Sequence, residues 1–137
     1  MFTLPHSLPQ RIGLLLLAAF FTYAGVSHFT NPEFFVSIMP PYLPAHLELV
    51  YLSGVFEILG GLGVLPVATR RWAGIGLIAL LVAVFPANLH MALNPELYAA
   101  DGAPAWALYG RLPIQLLFGL WAWWATRPET DPAPVGA

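Results

Sequence analysis

A carboxylate, Glu57, sits near the midpoint of Leu47–Val67, an otherwise apolar stretch long enough to cross a hydrocarbon core. An ionisable side chain at that depth costs about 2.5 to 3.5 kcal/mol on insertion scales, so it normally faces a bundle interior or a wet cavity, with a partner. The partner expected here is Arg111. With Gln115 and Gly119 at i+4 and i+8, it gives a later helix one face of Arg, Gln and Gly. Glu57 lies about 15 Å from the same end, at 1.5 Å of rise per residue, where a long arginine side chain reaches it. Paired directly, through water or through a ligand, each relieves the other of an uncompensated charge in low dielectric. Two competing readings are an architectural clasp that fixes helix register, and an Arg111 that snorkels to head groups while Glu57 stays protonated.

Other polar groups fall in the same half. Tyr23 and Ser27 share a face of the first helix, and Tyr51 lies above Glu57 on a different face. Asn88 and His90 stand about 200° apart on an ideal helix, so one of them points inward. Asn88 is the choice, because it follows Pro86, where a kink frees the Val82 carbonyl. The candidate ligand-binding set is therefore Glu57, Arg111, Gln115, Asn88, Tyr23, Ser27 and Tyr51, with interfacial anchoring the alternative for the two tyrosines. His28, His46, His90 and Glu48 near the rim would suit zinc, copper or haem iron. Their spacing matches no ligand motif, so interfacial histidines are expected and no metal. Gly60, Gly61 and Gly63 lie mid-helix without a following Lys-Ser/Thr and are no phosphate loop. No Ser-His-Asp or Cys-His arrangement can be assembled.

The elements that position these residues read as four spans, about 12–28, 47–66, 72–93 and 105–126, in an all-α transmembrane bundle. Thr30-Asn31-Pro32-Glu33 starts a short helix over 33–39, interfacial or re-entrant, and Pro40, Pro41 and Pro44 force an extended connection after it. Thr69-Arg70-Arg71 reads as the tight turn into the third span, Asn94–Pro104 as a polar loop, and 127–137 as a flexible tail. Pro86 is expected to kink the third span, and Pro113 to kink the fourth or mark a late start. Ser53, Gly54, Gly60 and Gly61 line one stripe beside Glu57, where another helix or a ligand can approach the backbone.

Composition agrees with a membrane class. Of 137 residues, 58% are hydrophobic and 9% charged, against about 25% charged in soluble domains. One domain over 1–126 is expected, since no linker divides the chain. A net charge of −2 excludes nucleic acid as a partner class. All five basic residues are Arg, with no polybasic lipid-binding run, and the absence of cysteine removes disulfide, CxxC and thiolate-metal chemistry. Arg11 with Ile12–Phe21 imitates a secretory signal, but the apolar run continues to Phe29 without an A-x-A site, so an uncleaved first span is expected. Arg11, Arg70, Arg71 and Arg127 fall on one side if four spans alternate. That predicts an inner-membrane, multi-pass protein with both termini cytoplasmic.

The runs A-G-V-S-H-F-T-N-P-E-F-F at 24–35, M-P-P-Y-L-P at 39–44, S-G-V-F-E-I-L-G-G-L-G-V-L at 53–65, T-R-R at 69–71, F-P-A-N-L-H-M-A at 85–92 and R-L-P-I-Q at 111–115 together resemble the DoxX family, over nearly the whole chain. The resemblance implies a four-helix membrane bundle arranged like vitamin K epoxide reductase, whose cysteine chemistry this chain cannot share. It also implies that Glu57 is the family's second-helix Glu, and that Arg111, Pro113 and Gln115 are its Arg-x-Pro-x-Gln. The family takes its name from a subunit of a thiosulfate:quinone oxidoreductase, and other relatives resemble membrane assembly factors.

The expected function is a non-catalytic accessory subunit of a quinone-linked membrane system, or a binder of a lipophilic molecule such as quinone or lipid. The alternative is an assembly factor or scaffold with a purely structural Glu–Arg pair. Proton-coupled transport is disfavoured by the lack of an internal repeat. Expected partners are the lipid bilayer, a redox partner protein or membrane client, and a second copy of the chain.

Overall fold

The computed structural model describes residues 1–99 and 104–129, and within them the protein is all-helical. Helix α1 (Leu8–Thr30) begins where extended Ser7 turns its hydroxyl to the Gln10 N–H, with proline in the first turn. Asn31 ends it, and Pro32 at once opens the short α2 (Pro32–Ser37). Pro40–Pro44 cannot extend that helix. Ala45, in left-handed backbone at φ 51°, turns the chain into α3 (His46–Gly63). Helix α4 (Val67–Leu93), a single 3₁₀ turn at Pro95–Leu97 and α5 (Ala105–Thr126) complete the described residues. The expected loop at 94–104 and tail at 127–137 lie in part outside those residues.

Thr69-Arg70-Arg71 is not the turn between the second and third long helices; it is the first turns of α4. Pro66 stops α3 early, and the turn is made at 64–66. The carbonyls left open there are taken by side chains of the helix that follows. The Thr69 hydroxyl donates to Gly63 O at 2.7 Å, and Arg70 donates to Val64 O at 3.0 Å and Leu65 O at 2.8 Å. Pro86 and Pro113 both lie inside helices that run on past them, so Pro113 does not delay the start of α5.

The long helices form a ring: α1 packs on α3, α3 on α4, α4 on α5 and α5 back on α1. Helices α3 and α5 are therefore diagonal. The α1–α3 seam is backbone against backbone. A Cβ on Gly25 would stand 2.6 Å from Gly54 O, and one on Gly61 would stand 2.7 Å from Thr22 N. Small residues there let the helices approach closely, as the stripe of Gly54, Gly60 and Gly61 anticipated. Leu14, Leu17, Phe21, Val64, Leu77 and Ala122 close a core in the half of the ring that holds the start of α1, the start of α4 and the end of α5. Outward-facing positions are apolar too, among them Leu16, Leu52, Phe56, Leu59, Val82, Leu116, Leu117 and Leu120. Two helices, α1 and α4, are long and apolar enough to cross a membrane. Helix α3, with His46, Glu48 and Glu57, and α5, with Arg111 and its tryptophans, carry more polar weight.

Candidate functional site: a polar-lined cleft

Beyond Phe21 the ring opens. The half of the bundle holding the end of α1 and the start of α3 contains a cleft of about 600 Å³, apolar over most of its lining. Helix α2 and the segment after it reach over one side, with Phe35, Ile38, Met39 and Leu43 on the wall. The polar groups facing the cleft are few: His28, Ser53, Glu57, Asn88, Arg111 and Gln115. An apolar cavity with a handful of placed polar groups is the usual form of a small-molecule site.

Each polar group is set by its helix. A Cβ on Gly54 would meet His28 and one on Gly25 would meet Ile58, the neighbour of Glu57, so the tight α1–α3 seam sets His28 and Glu57 within side-chain reach of each other. His28 Nδ1 stands 3.1 Å from Glu57 Oε2, with the two side chains 11% and 18% exposed. The same Nδ1 stands 2.8 Å from the Ala24 carbonyl oxygen, and its single hydrogen is aligned with that carbonyl. Glu57 Oε2 is thus near the imidazole and shut off from solvent, yet receives no aligned hydrogen bond among the described residues. Phe35 of α2 stacks on the other side of the ring, centroids 3.9 Å apart and planes 18° apart, which holds the imidazole in place.

Across the cleft, α4 and α5 are tied by amides. Gln115 Nε2 donates to the Leu81 carbonyl, and Asn88 Nδ2 donates to Gln115 Oε1 at 2.8 Å. The acceptor is the carbonyl next to Val82, the one Pro86 was expected to free. Arg111, one turn before Gln115, turns into the same cleft. It donates no hydrogen bond and makes no ion pair among the described residues, where the one acid–base contact within 4.0 Å is His28–Glu57.

The direct Glu57–Arg111 ion pair is therefore not formed. The reason is the ring order: α3 and α5 are diagonal, and the cleft lies between their charges. Of the seven candidate ligand-binding residues, Glu57, Arg111, Gln115 and Asn88 line the cleft together, and Tyr23, Ser27 and Tyr51 do not. Tyr23 is 74% exposed, and Ser27 turns its hydroxyl back to the Tyr23 carbonyl at 2.8 Å. Tyr51 stacks on Phe29 with planes 4° apart.

A sequence model for a family described as a domain of unknown function (DUF8561) matches residues 17–126. The chain belongs to that family. No curated protein and no solved structure matches it. The DoxX resemblance is corrected by this assignment, since DUF8561 covers the same stretch that the resemblance covered. The motifs that suggested it are largely packing devices. Gly25 and Gly54 make a helix crossing, Asn31-Pro32 a helix junction and Pro40–Pro44 a bend, and such devices recur wherever small helices meet.

In this DUF8561 chain the residue that sequence reasoning misplaced is His28, considered only as a metal candidate. The signal was available: Gly25-x-x-His28 on α1 and Gly54-x-x-Glu57 on α3 put each polar residue three positions beyond a small one. In the antiparallel pair each polar residue lies level with the other helix's glycine, His28 against Gly54 and Glu57 beside Ile58 against Gly25, so their side chains reach one another across the seam. The other metal candidates scatter. His90 Nδ1 lies 2.9 Å from the Tyr98 hydroxyl, and no group of three His, Asp or Glu comes together among the described residues. Burial, with Tyr42 nearby, pushes the Tyr98 phenol above its usual range, so it stays protonated as the histidine's partner.

Proposed function

We propose that this DUF8561 protein is a four-span membrane protein that holds a lipophilic small molecule between its helices, with a hydrogen-bond-accepting or anionic head at Arg111 and an apolar body along the cleft. The observation that carries the reading is the half-buried Arg111 guanidinium, which turns into an apolar cleft and has no partner among the described residues. A guanidinium offers five donors in a rigid fork, and leaving them unused in an apolar setting is costly. A carbonyl, carboxylate or phosphate head satisfies them. Asn88 and Gln115 are already committed to each other and to the Leu81 carbonyl, so they frame the head. The apolar outer faces of the long helices suit contact with acyl chains. The grouping of Arg11, Arg70, Arg71 and Arg127 suits a cytoplasmic side for both termini.

The experiment is extraction of the full chain in detergent, followed by mass spectrometry of the small molecules that stay bound. A lipophilic compound retained by the native chain and lost from Arg111→Leu supports the reading. A chain that carries nothing, or whose bound compound is indifferent to Arg111→Leu, overturns it in favour of a structural or assembly role. Membrane topology can be read separately. The chain has no native cysteine, so Ser37→Cys and Thr69→Cys are each unique labelling sites, expected on opposite sides of the membrane.

A further inference from the structure

A second cavity, of about 460 Å³, lies at the opposite end of the ring from the cleft, where the N-terminal segment before α1, the start of α4 and the end of α5 converge. Its lining includes the adjacent Arg70 and Arg71 and the distant Arg127, gathered by the fold, with Glu129 as the carboxylate among them. Glu129 is already engaged, accepting from the backbone N–H of His6 at 2.7 Å and of Ser7 at 3.1 Å. Arg70 spends its donors on neutral carbonyls, of Thr3, Val64 and Leu65. Arg71 is different: its Nη1 is shut off from solvent and donates to nothing among the described residues. A buried cationic donor without an acceptor is a costly thing for a fold to keep. Among the described residues, three guanidinium groups stand against one carboxylate in the cavity lining, a surplus of positive charge.

We infer that this cavity binds a phosphate group, with Arg71 Nη1 as the buried donor and Arg127 at the rim. Guanidinium and phosphate match in geometry, and arginine is favoured over lysine for such sites. Both apolar helices, α1 and α4, begin at this end, and Trp72 and Trp123 stand exposed beside it. On the four-span reading this is head-group depth, where aromatic residues collect. The phosphate can come from an anionic phospholipid or from a soluble phosphate compound, and the test separates the two.

The full chain is reconstituted in bilayer discs of phosphatidylcholine alone or with phosphatidylglycerol, and its thermal stability and retained lipid are measured. In a parallel arm, inorganic phosphate is added to the chain in uncharged detergent. Phosphatidylglycerol is expected to be retained and to raise the melting temperature. Arg71→Gln is expected to weaken retention about tenfold, the loss of one charge-assisted hydrogen bond. Arg127→Gln, at an exposed position whose guanidinium stands over the Trp123 ring, should weaken it in the same direction. Arg11→Gln removes an equal charge outside the cavity, where Arg11 Nε donates to the Pro5 carbonyl, and should change little. Stabilisation by inorganic phosphate alone, sensitive to Arg71→Gln, assigns the site to a soluble phosphate. No response to either phosphate source, or equal losses in the Arg71, Arg127 and Arg11 variants, overturns the inference. Because the cleft variant Arg111→Leu leaves this cavity untouched, failure here is distinct from failure of the ligand reading above.

Discussion

The two halves of the ring are built from the same four long helices and reach opposite results. In the half near the arginines, Leu14, Leu17, Phe21 and Leu77 fill the centre and leave almost none of their surface exposed. In the other half the centre is a cleft, with a few polar side chains on mostly apolar walls. The closed half uses side chains as filler and small residues as sockets: a Cβ on Gly61 would meet Thr22 and Ala18, and one on Gly63 would meet Ala73 at 3.0 Å. The open half has one seam drawn tight by glycine, between α1 and α3, while α4 and α5 are joined through amide side chains that span more room. The lesson is that packing density in this molecule is set seam by seam, not by overall hydrophobicity.

The largest expected effect breaks the closed half. Leu17→Ala, at a fully buried position, should cost about 2 to 5 kcal/mol, the range for deleting a core leucine. It should be visible as a lowered midpoint in a denaturation series followed by circular dichroism. A loss under about 1 kcal/mol would mean the closed half is not the stability centre. Next, Gly54→Leu attacks the tight seam of the open half. A Cβ there stands 2.8 Å from His28 Cβ and 2.9 Å from Gly25 O, and backbone cannot move aside. Overpacking of this kind costs about 1 to 3 kcal/mol, and the same titration should register it.

Ala87→Leu sharpens the contrast from the other side. Ala87 lines the cleft, so the added methylenes enter empty space. Stability should change by less than about 1 kcal/mol, while the cleft loses capacity for a ligand. A large destabilisation would show that the open half is as tightly packed as the closed one. The smallest effect concerns Glu129. Hydrogen bonds from the His6 and Ser7 N–H groups hold its carboxyl below the usual range. A carboxyl depressed in the folded state contributes stability that is present above its unfolded pKa, about 4.3, and is lost as pH falls through the folded value. The melting temperatures of the native chain and Glu129→Gln should therefore differ slightly near neutrality and converge in acid.

Helix positions were legible because proline, small caps and apolar runs act locally. Asn31-Pro32 marked a junction, and α5 begins at Ala105 as its apolar run suggested. Where the reading slipped, the cause was a contact between distant segments. Thr69 and Arg70 read as turn residues because they are polar. They are helical because their side chains reach back to the carbonyls that α3 leaves open. The Glu57–Arg111 pairing assumed that two charges at equal depth are neighbours, whereas ring order places α3 and α5 on a diagonal. Depth can be read from residue count; azimuth depends on which glycines choose which partners. Tyr23, Ser27 and Tyr51 lie at a similar height but outside the cleft lining.

The hydrogen at His28 Nδ1 has one further implication. A backbone carbonyl can only accept, so the 2.8 Å approach of Ala24 O obliges that nitrogen to carry its proton whatever Glu57 does. The neutral ring is thereby fixed as one tautomer, with the lone pair on Nε2. In that neutral form Nε2 can only accept, whereas the Arg111 guanidinium opposite can only donate, so the two walls of the cleft offer opposite hydrogen-bonding roles.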